Sequence, residues 1–225
     1  MAQINDSVQP RPSAATHDHR ADRRRYLSGA LDRNALNPDP FNQLETWIQD
    51  ARTAGNTEPT AMILATADAS GQPSARCVLL KHVDHGLCFY TDRDSRKGHD
   101  LSANPRAAVL FYWPETERQV RFEGGVEILS DAEADAYFSS RPTGSQQAAY
   151  ASKQSQPIAD RATLEAAHAA IVHEFPDGPP RPSRWGGYRL VPQRIEFWQG
   201  RDNRLHDRLQ LDRTDSGWKI TRLQP

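Results

Sequence analysis

Strand-forming segments occur towards both ends of the chain, and helical segments are inserted between them. Short β-patterned runs lie within residues 60–91 and 106–129 and return in residues 188–223, whereas residues 130–175 are helical in pattern. Strands do not alternate one by one with helices, as a parallel sheet would require. The order therefore predicts an α+β fold around an antiparallel sheet or small barrel.

Capping residues and hydrophobic periodicity define the individual elements. Asp39 and Pro40 begin one helix, and a capping box at Ser130 begins another. Gly124 and Gly125 interrupt a strand, which indicates a bulge or a close backbone approach. The predicted helices span residues 39–54, 95–103, 130–140, 145–152 and 160–175, the last one amphipathic; the predicted strands span residues 60–67, 74–82, 87–91, 106–113, 117–129, 188–191, 194–199, 204–211 and 218–223.

Charge and cysteine content narrow the possible function classes. The 225 residues carry a formal net charge of -1 and two cysteines, which argues against a dedicated nucleic-acid binder and against a disulfide framework. No apolar run approaches the roughly 20 residues of a membrane span. We therefore expect a cytoplasmic protein with no membrane or nucleic-acid partner. Residues 1–22 are polar and are predicted to form a flexible tail, followed by a single domain over 23–225.

A cationic face is predicted on the strand over residues 204–211. Alternation puts Arg204, His206, Arg208 and Gln210 on one side of this strand. Two guanidinium groups flanking an imidazole suit an anion, and an ordinary solvated face is the alternative. The other side would carry Leu205, Leu209 and Leu211.

Two further cationic groups lie at element ends. Ser95, Arg96 and Lys97 begin a predicted helix, where free N–H groups and adjacent cations suit a phosphate; a plain polar helix start is the alternative. Arg76 and Lys81 bracket an apolar strand, and their odd separation would put them on opposite faces. A cation at a buried strand end needs an anionic ligand or a carboxylate nearby.

Side chains on the helix over 130–140 form one more candidate. Tyr137 and Arg141 are four residues apart and share a face, and Ser145 follows closely. These residues could hold a phosphate, or Arg141 could simply stabilise the helix end. His82 and His85 lie in a turn with no further ligand in sequence, so we predict no metal site.

Eight segments, in order, resemble the pyridoxamine/pyridoxine 5′-phosphate oxidase family. The resemblance covers residues 20–225 approximately. The segments are RCVLLK (76–81), FYTDRDSRKG (89–98), ERQVRFEG (117–124), YFSSRPTGSQ (137–146), SKQSQPI (152–158), WGGYRL (185–190), IEFWQG (195–200) and RLHDR (204–208).

The resemblance implies a six-stranded antiparallel split β-barrel with surrounding helices, working as a homodimer with FMN at the subunit interface. It also implies oxidation of pyridoxine 5′-phosphate or pyridoxamine 5′-phosphate to pyridoxal 5′-phosphate. Molecular oxygen would accept the electrons and give hydrogen peroxide, and the amine would also give ammonia. Two phosphorylated ligands would account for separate cationic groups.

Site residues follow from the resemblance by position. FMN would contact Arg76, Cys77, Val78, Leu79, Leu80, Lys81, Tyr90, Thr91, Arg96, Lys97, Gln119, Gln154, Ser155, Trp198 and Arg208. The substrate would contact Arg23, Tyr26, Lys81, Tyr137, Arg141, Ser145, Arg204, Leu205 and His206. Arg204 and His206 would be the catalytic pair over the pyridine ring, and Arg23 and Tyr26 match a segment that closes over the substrate in relatives.

Two other interpretations stay open from the sequence. One is a different flavin-dependent split-barrel oxidoreductase with another substrate. The other is a non-enzymatic carrier of flavin or pyridoxal phosphate, or a nucleic-acid module using residues 23–25 and 201–213. Acidic residues interspersed in the second stretch weaken the nucleic-acid interpretation.

Overall fold

A single antiparallel sheet dominates the computed structural model, which describes residues 25–225. The sheet order is β2-β1-β5-β6-β7-β4-β3, and β8 and β9 extend from β7. The strands are β1 (Ala61–Ala67), β2 (Pro73–Leu79), β3 (His82–Val83), β4 (Leu87–Asp92), β5 (Arg106–Trp113), β6 (Arg118–Ile128), β7 (Trp185–Gln199), β8 (Asp207–Thr214) and β9 (Gly217–Leu223). The predicted tail over 1–22 and Arg23 lie outside the described residues.

Contact between β2 and β4 brings the two ends of a six-strand path together. The sheet therefore curls into the predicted split barrel, and β3, β8 and β9 are additions to its six main strands. Within residues 25–225, five α-helices surround it: α1 (Pro40–Thr53), α2 (Arg96–Ala103), α3 (Asp131–Ser140), α4 (Thr143–Ala151) and α5 (Arg161–Glu174). The α+β prediction is confirmed.

The core lies inside the curled sheet and is closed by α1. Alternate residues of the central strands point inward and are fully buried, among them Phe111, Phe122 and Phe197. Trp47 of α1 packs edge-to-face on Phe197, with ring centroids 5.1 Å apart. Burial of large aromatic side chains on this scale stabilises the barrel and holds its outward rows of polar residues in register.

Local capping signals predicted the helix starts well. Asp39 accepts a hydrogen bond from the Phe41 N–H at the start of α1, and Ser130 and Glu133 form the reciprocal capping box of α3. The α5 helix is also present, but none of its residues is buried, and Leu164 and Val172 are 40% and 39% exposed. Its apolar face is thus only partly covered within the described residues.

The strand predicted over 204–211 is wrong at its beginning. Residues 202–204 form a 3₁₀ turn in which Asn203 and Arg204 have φ values of 55° and 61°, and β8 begins only at Asp207. The strict alternation therefore fails before Asp207, and Leu205 is 70% exposed instead of lying on an inner face. Leu209 and Leu211 do point inward.

Two other strand boundaries also differ from the prediction. The strands predicted over 188–191 and 194–199 are one strand, β7, because the sheet absorbs Pro192 at a bulge opposite Gly124. The strand predicted over 74–82 ends at Leu79. Among residues 25–225 no helix has the length and apolar character to cross a membrane.

Candidate active site

A cavity of about 810 Å³ opens beside β2 and β4 and is covered by α3 and α4. A volume of this order is enough for a drug-sized ligand. Its walls are Arg76, Cys77, Val78, Leu79, Lys81, Tyr90, Thr91, Asp92, Lys97, Tyr137, Arg141, Pro142, Ser145, Ala148, Ala149, Ser152, Gln154 and Trp185. The cavity therefore joins residues from four separate sequence segments, 76–81, 90–97, 137–154 and 185.

Arg76 and Lys81 both reach the cavity despite their odd separation. Because β2 ends at Leu79, the strand parity no longer applies at Lys81. Arg76 Nη1 donates to Thr66 Oγ1 at 2.7 Å, and its Nη2 lies 3.6 Å from Asp100 Oδ2. The expected carboxylate partner of this cation is therefore Asp100 of α2. Burial lowers the pKa of Arg76.

Lys97 is a buried cation surrounded by uncharged oxygens. Its Nζ donates to Gln154 Oε1 at 2.5 Å, Thr91 Oγ1 at 3.1 Å and Ser95 Oγ at 3.3 Å. Burial, and secondarily the nearby Arg76 charge, lowers the pKa of Lys97 to about 8. An anion beside it would remove this penalty. Ser95 caps α2, as predicted.

Aromatic rings and Arg141 form another wall of the cavity. The Tyr90 ring stacks on Tyr137 at 4.1 Å and on Trp185 at 5.5 Å. The Arg141 guanidinium lies 5.0 Å from the Trp185 ring centroid, in a cation–π contact. Arg141 Nη1 is buried and has no hydrogen-bond partner among the described residues. A ligand that enters the cavity could supply the acceptor for this donor.

The balance of charge in the cavity is strongly positive. Arg76, Lys81, Lys97 and Arg141 line it, against the single lining carboxylate of Asp92. That carboxylate is already paired, because Arg184 Nε donates to its Oδ2 at 3.0 Å. The cavity is therefore built for an anionic ligand with more than one negative charge.

A second group of predicted residues lies on the outer face of the sheet. Gln119, Trp198 and Arg208 are cross-strand neighbours on β6, β7 and β8. Glu196, 3% exposed, holds Arg208 through two hydrogen bonds of 2.7 and 3.1 Å and accepts another from Arg121 at 2.8 Å. This face is opposite the core, which receives Val120, Phe197 and Leu209.

The third group surrounds the loop between β7 and β8. Tyr26 meets Trp198 and His206 edge-to-face, at centroid distances of 5.8 and 5.4 Å. The Arg201 N–H donates to His206 Nδ1 at 3.1 Å, so a neutral ring carries its proton on Nε2. Burial, and then the Arg204 charge, lowers the pKa of His206. Tyr26, Trp198, Arg204 and His206 are termed the loop cluster.

The structure thus separates the predicted site residues into those that line the cavity and those that lie elsewhere. Twelve of them line the cavity: Arg76, Cys77, Val78, Leu79, Lys81, Tyr90, Thr91, Lys97, Tyr137, Arg141, Ser145 and Gln154. Of the others in the described chain, Leu80 is in the core, Arg96, Ser155 and Leu205 are exposed, and Gln119, Arg208 and the loop cluster lie on the outer sheet face and its loop.

Sequence reasoning did not identify several residues that support the cavity. Asp100 holds Arg76, Arg184 holds Asp92, and Trp185 supports Arg141. Arg184 ends the proline-rich stretch over residues 176–184, and Trp185 begins the segment WGGYRL, but neither residue had been assigned a role in the site. The requirement for a carboxylate near Arg76 was the one signal pointing to Asp100.

Two family profiles match most of the chain. A profile described as pyridoxamine 5′-phosphate oxidase matches residues 48–173. A second, described as the pyridoxine 5′-phosphate oxidase C-terminal dimerisation region, matches residues 185–225. The chain belongs to the pyridoxamine 5′-phosphate oxidase family. Membership makes it an FMN-dependent oxidoreductase.

Individual relatives agree with this assignment. Proteins named pyridoxine/pyridoxamine 5′-phosphate oxidase from Burkholderia cenocepacia and Cupriavidus taiwanensis are each 54% identical to it. The alignments cover 89% and 90% of this chain and 95% and 97% of those proteins.

Solved structures show the same fold. PhzG from Burkholderia lata, solved with tetrahydrophenazine-1-carboxylic acid, is 36% identical with a TM-score of 0.81 and covers 85% of this chain and 95% of its own. An FMN-binding protein related to pyridoxamine 5′-phosphate oxidase, from Nostoc punctiforme, is 18% identical with a TM-score of 0.68, covering 83% and 98%. The second comparison concerns the fold alone.

The cavity suits the FMN of this family. Lys97, Thr91 and Gln154 offer clustered polar groups for its phosphate. The stacked aromatic side chains provide an apolar wall for a planar ring.

Proposed function

We propose that the chain oxidises pyridoxine 5′-phosphate or pyridoxamine 5′-phosphate to pyridoxal 5′-phosphate. Molecular oxygen would be the final electron acceptor, with hydrogen peroxide released and ammonia released from the amine. The observation that carries this proposal is the cavity with four cations and one paired carboxylate. The 54% identity to relatives named for this activity supports it.

Two separate groups of donors in the cavity support two phosphates. The first group consists of Arg76 on β2, Thr91 on β4 and Lys97 on α2. The second group consists of Tyr137, Arg141 and Ser145 in the α3–α4 region. We assign the first group to the phosphate of FMN. The second group is assigned to the phosphate of the substrate. Charge-assisted hydrogen bonds to a phosphate are the strongest that such side chains make.

In this proposal the side chains of the protein orient the substrate and donate hydrogen bonds to it. When bound, FMN supplies the electron acceptor for oxidation at the substrate carbon. His206, neutral and held by the Arg201 N–H, would offer its Nε2–H as a hydrogen-bond donor, since Nδ1 is already an acceptor. Arg204 would add a positive charge over the pyridine ring. Arg25 forms a solvent-exposed ion pair with Asp202 of this loop, at 2.5 Å.

A complete site requires a second copy of the chain. The outer-face row of Gln119, Trp198 and Arg208, and the loop cluster, do not line the cavity in the described chain. We propose that a homodimer brings these residues of one subunit to the cavity of the other. The match of residues 185–225, which contain β7 to β9, to a dimerisation region supports this arrangement.

Substitution of Arg141 tests the substrate phosphate site. Arg141→Gln removes a charge-assisted contact worth about 1.5–3 kcal/mol, so KM for pyridoxine 5′-phosphate should rise about 10- to 100-fold. Bound FMN should stay stoichiometric. Arg161→Gln, on the exposed start of α5, is the matched control and should leave KM unchanged. An unchanged KM in Arg141→Gln would remove this site from the proposal.

A second candidate function rests on the likeness to PhzG. That protein was solved with a tetrahydrophenazine carboxylic acid and is 36% identical to this chain. Oxidation of a reduced phenazine carboxylate is therefore the alternative. A single carboxylate would carry less negative charge to the Arg141 group than a phosphate does, which favours the phosphorylated substrates. Parallel assays of oxygen consumption with both substrate classes distinguish the two.

A further inference from the structure

A cluster of three different metal-binding side chains lies on the β3–β4 hairpin, outside the cavity. His82 and Cys88 are directly paired across the two strands, and Asp84 lies in the turn between them. One ligand atom from each residue, a ring nitrogen, a carboxylate oxygen and the thiol sulfur, lies within 4.8 Å of the other two. None of the three lines the cavity.

We propose that His82, Asp84 and Cys88 bind a divalent transition-metal ion, with Zn²⁺ as the best-suited ion. Nitrogen, oxygen and sulfur ligands in one cluster are typical of Zn²⁺, whose bonds of about 2.0–2.3 Å need ligand atoms closer together than they lie now. Cys88 Sγ and Asp84 Oδ1 are 4.0 Å apart, so rotation of exposed side chains has to shorten the separations only slightly.

The cluster is open to solvent on one side, so a metal ion can enter it from there. His82 and Asp84 are exposed, whereas Cys88 is fully buried and closes the cluster from behind. A fourth position is open to water or to His85, whose Nδ1 lies 3.6 Å from Asp84 Oδ1. Binding would replace the thiol proton of Cys88, which leaves to solvent, by a sulfur–metal bond.

Arg189 competes with a metal for Asp84, and the structure offers it other partners. Its guanidinium donates to both oxygens of Asp84, at distances from 2.6 to 3.0 Å. It also donates to Glu133 at 3.1 Å and lies 3.7 Å from Glu127. These two carboxylates can keep Arg189 paired when Asp84 turns towards an ion. The proposal departs from the sequence-based prediction of no metal site at His82 and His85, because Cys88 joins His82 only through the pairing of β3 with β4.

Equilibrium dialysis of the FMN-loaded protein against Zn²⁺ tests the proposal. His82→Asn, which alters an exposed side chain, and Cys88→Ser should each weaken one Zn²⁺ site by about tenfold or more. His99→Asn and His173→Asn, at two exposed histidines that do not line the cavity, are matched controls and should bind as the unaltered protein does. The comparison is between variants because the sequence has other histidines, such as His17 and His19.

The absorption spectrum of bound Co²⁺ provides a second test, which does not depend on the total amount of metal that the protein binds. A thiolate-containing tetrahedral Co²⁺ site absorbs at longer wavelengths than the flavin, and this absorption should be present in the control variants and absent in Cys88→Ser. Equal Zn²⁺ affinity in the unaltered protein, His82→Asn and Cys88→Ser would overturn the proposal. A Co²⁺ spectrum that Cys88→Ser does not change would do the same.

Discussion

Lys97 shows at the level of one side chain how the cavity is prepared for an anion. Its ammonium group is buried, and its three hydrogen-bond acceptors are the uncharged oxygens of Gln154, Thr91 and Ser95. Burial therefore lowers the pKa of Lys97 to about 8. A phosphate placed here would supply the missing negative charge and raise that pKa again.

This depressed pKa predicts that FMN binding depends on pH. Below pH 8 Lys97 is protonated with or without FMN, so affinity should be constant. Above pH 8 the free protein loses this proton and must regain it on binding, so affinity falls by up to tenfold per pH unit. We expect the Kd for FMN, measured by quenching of flavin fluorescence, to be about tenfold higher at pH 9 than at pH 7.

Lys97→Gln provides the control for this titration. It should bind FMN more weakly than the unaltered protein at pH 7 and show no rise in Kd between pH 7 and pH 9, because the ammonium group of Lys97 is no longer there to titrate. A Kd of the unaltered protein that stays constant over this range would show that Lys97 does not contact the phosphate.

At the level of elements, the bulge between β6 and β7 depends on Gly124. The register shifts between Glu123 and Gly124, where β7 contains one additional residue, Gln193. A Cβ atom on Gly124 would clash with the backbone oxygen of Val191, whereas one on Gly125 would meet nothing within 4 Å. The bulge keeps β7 continuous through Pro192, and thereby keeps Trp198 in line with Gln119.

Alanine substitutions at these neighbouring glycines should therefore differ sharply. Gly124→Ala forces the two strands apart and should lower the free energy of unfolding by about 1–3 kcal/mol. Gly125→Ala is the matched control and should change it by less than about 0.5 kcal/mol. Urea denaturation followed by tryptophan fluorescence measures both. Equal losses for the two variants would contradict the close approach at Gly124.

At the level of the whole molecule, the sequence predicts those features of the fold that depend on residues close together in the chain. Capping residues and alternation indicate the helix starts, the antiparallel strands and the Gly124 bulge. They do not show that Asp100 and Arg184 complete the charge pairing of the cavity, because those contacts join distant segments. The polar and apolar order of residues 204–207 imitates a strand, whereas the left-handed backbone of Arg204 makes a turn. The cytoplasmic location stays a prediction.

The proposed dimer makes a prediction that no single-chain site shares. Arg141→Ala alters the cavity and Arg204→Ala alters the loop cluster, so each homodimer should be nearly inactive. In a heterodimer of the two variants, one site combines the intact cavity of one subunit with the intact loop of the other. Random reassembly of equal amounts should therefore restore about a quarter of the unaltered activity. No recovery after confirmed subunit exchange would place both residue groups in one subunit's site.

The visible spectrum of the FMN-loaded protein under anaerobic conditions tests the central claim most directly. We predict that pyridoxine 5′-phosphate or pyridoxamine 5′-phosphate bleaches the flavin absorption, that pyridoxine without its phosphate does so far more slowly, and that oxygen restores the colour. A spectrum that neither phosphorylated vitamer changes, in protein that demonstrably contains FMN, would contradict the account.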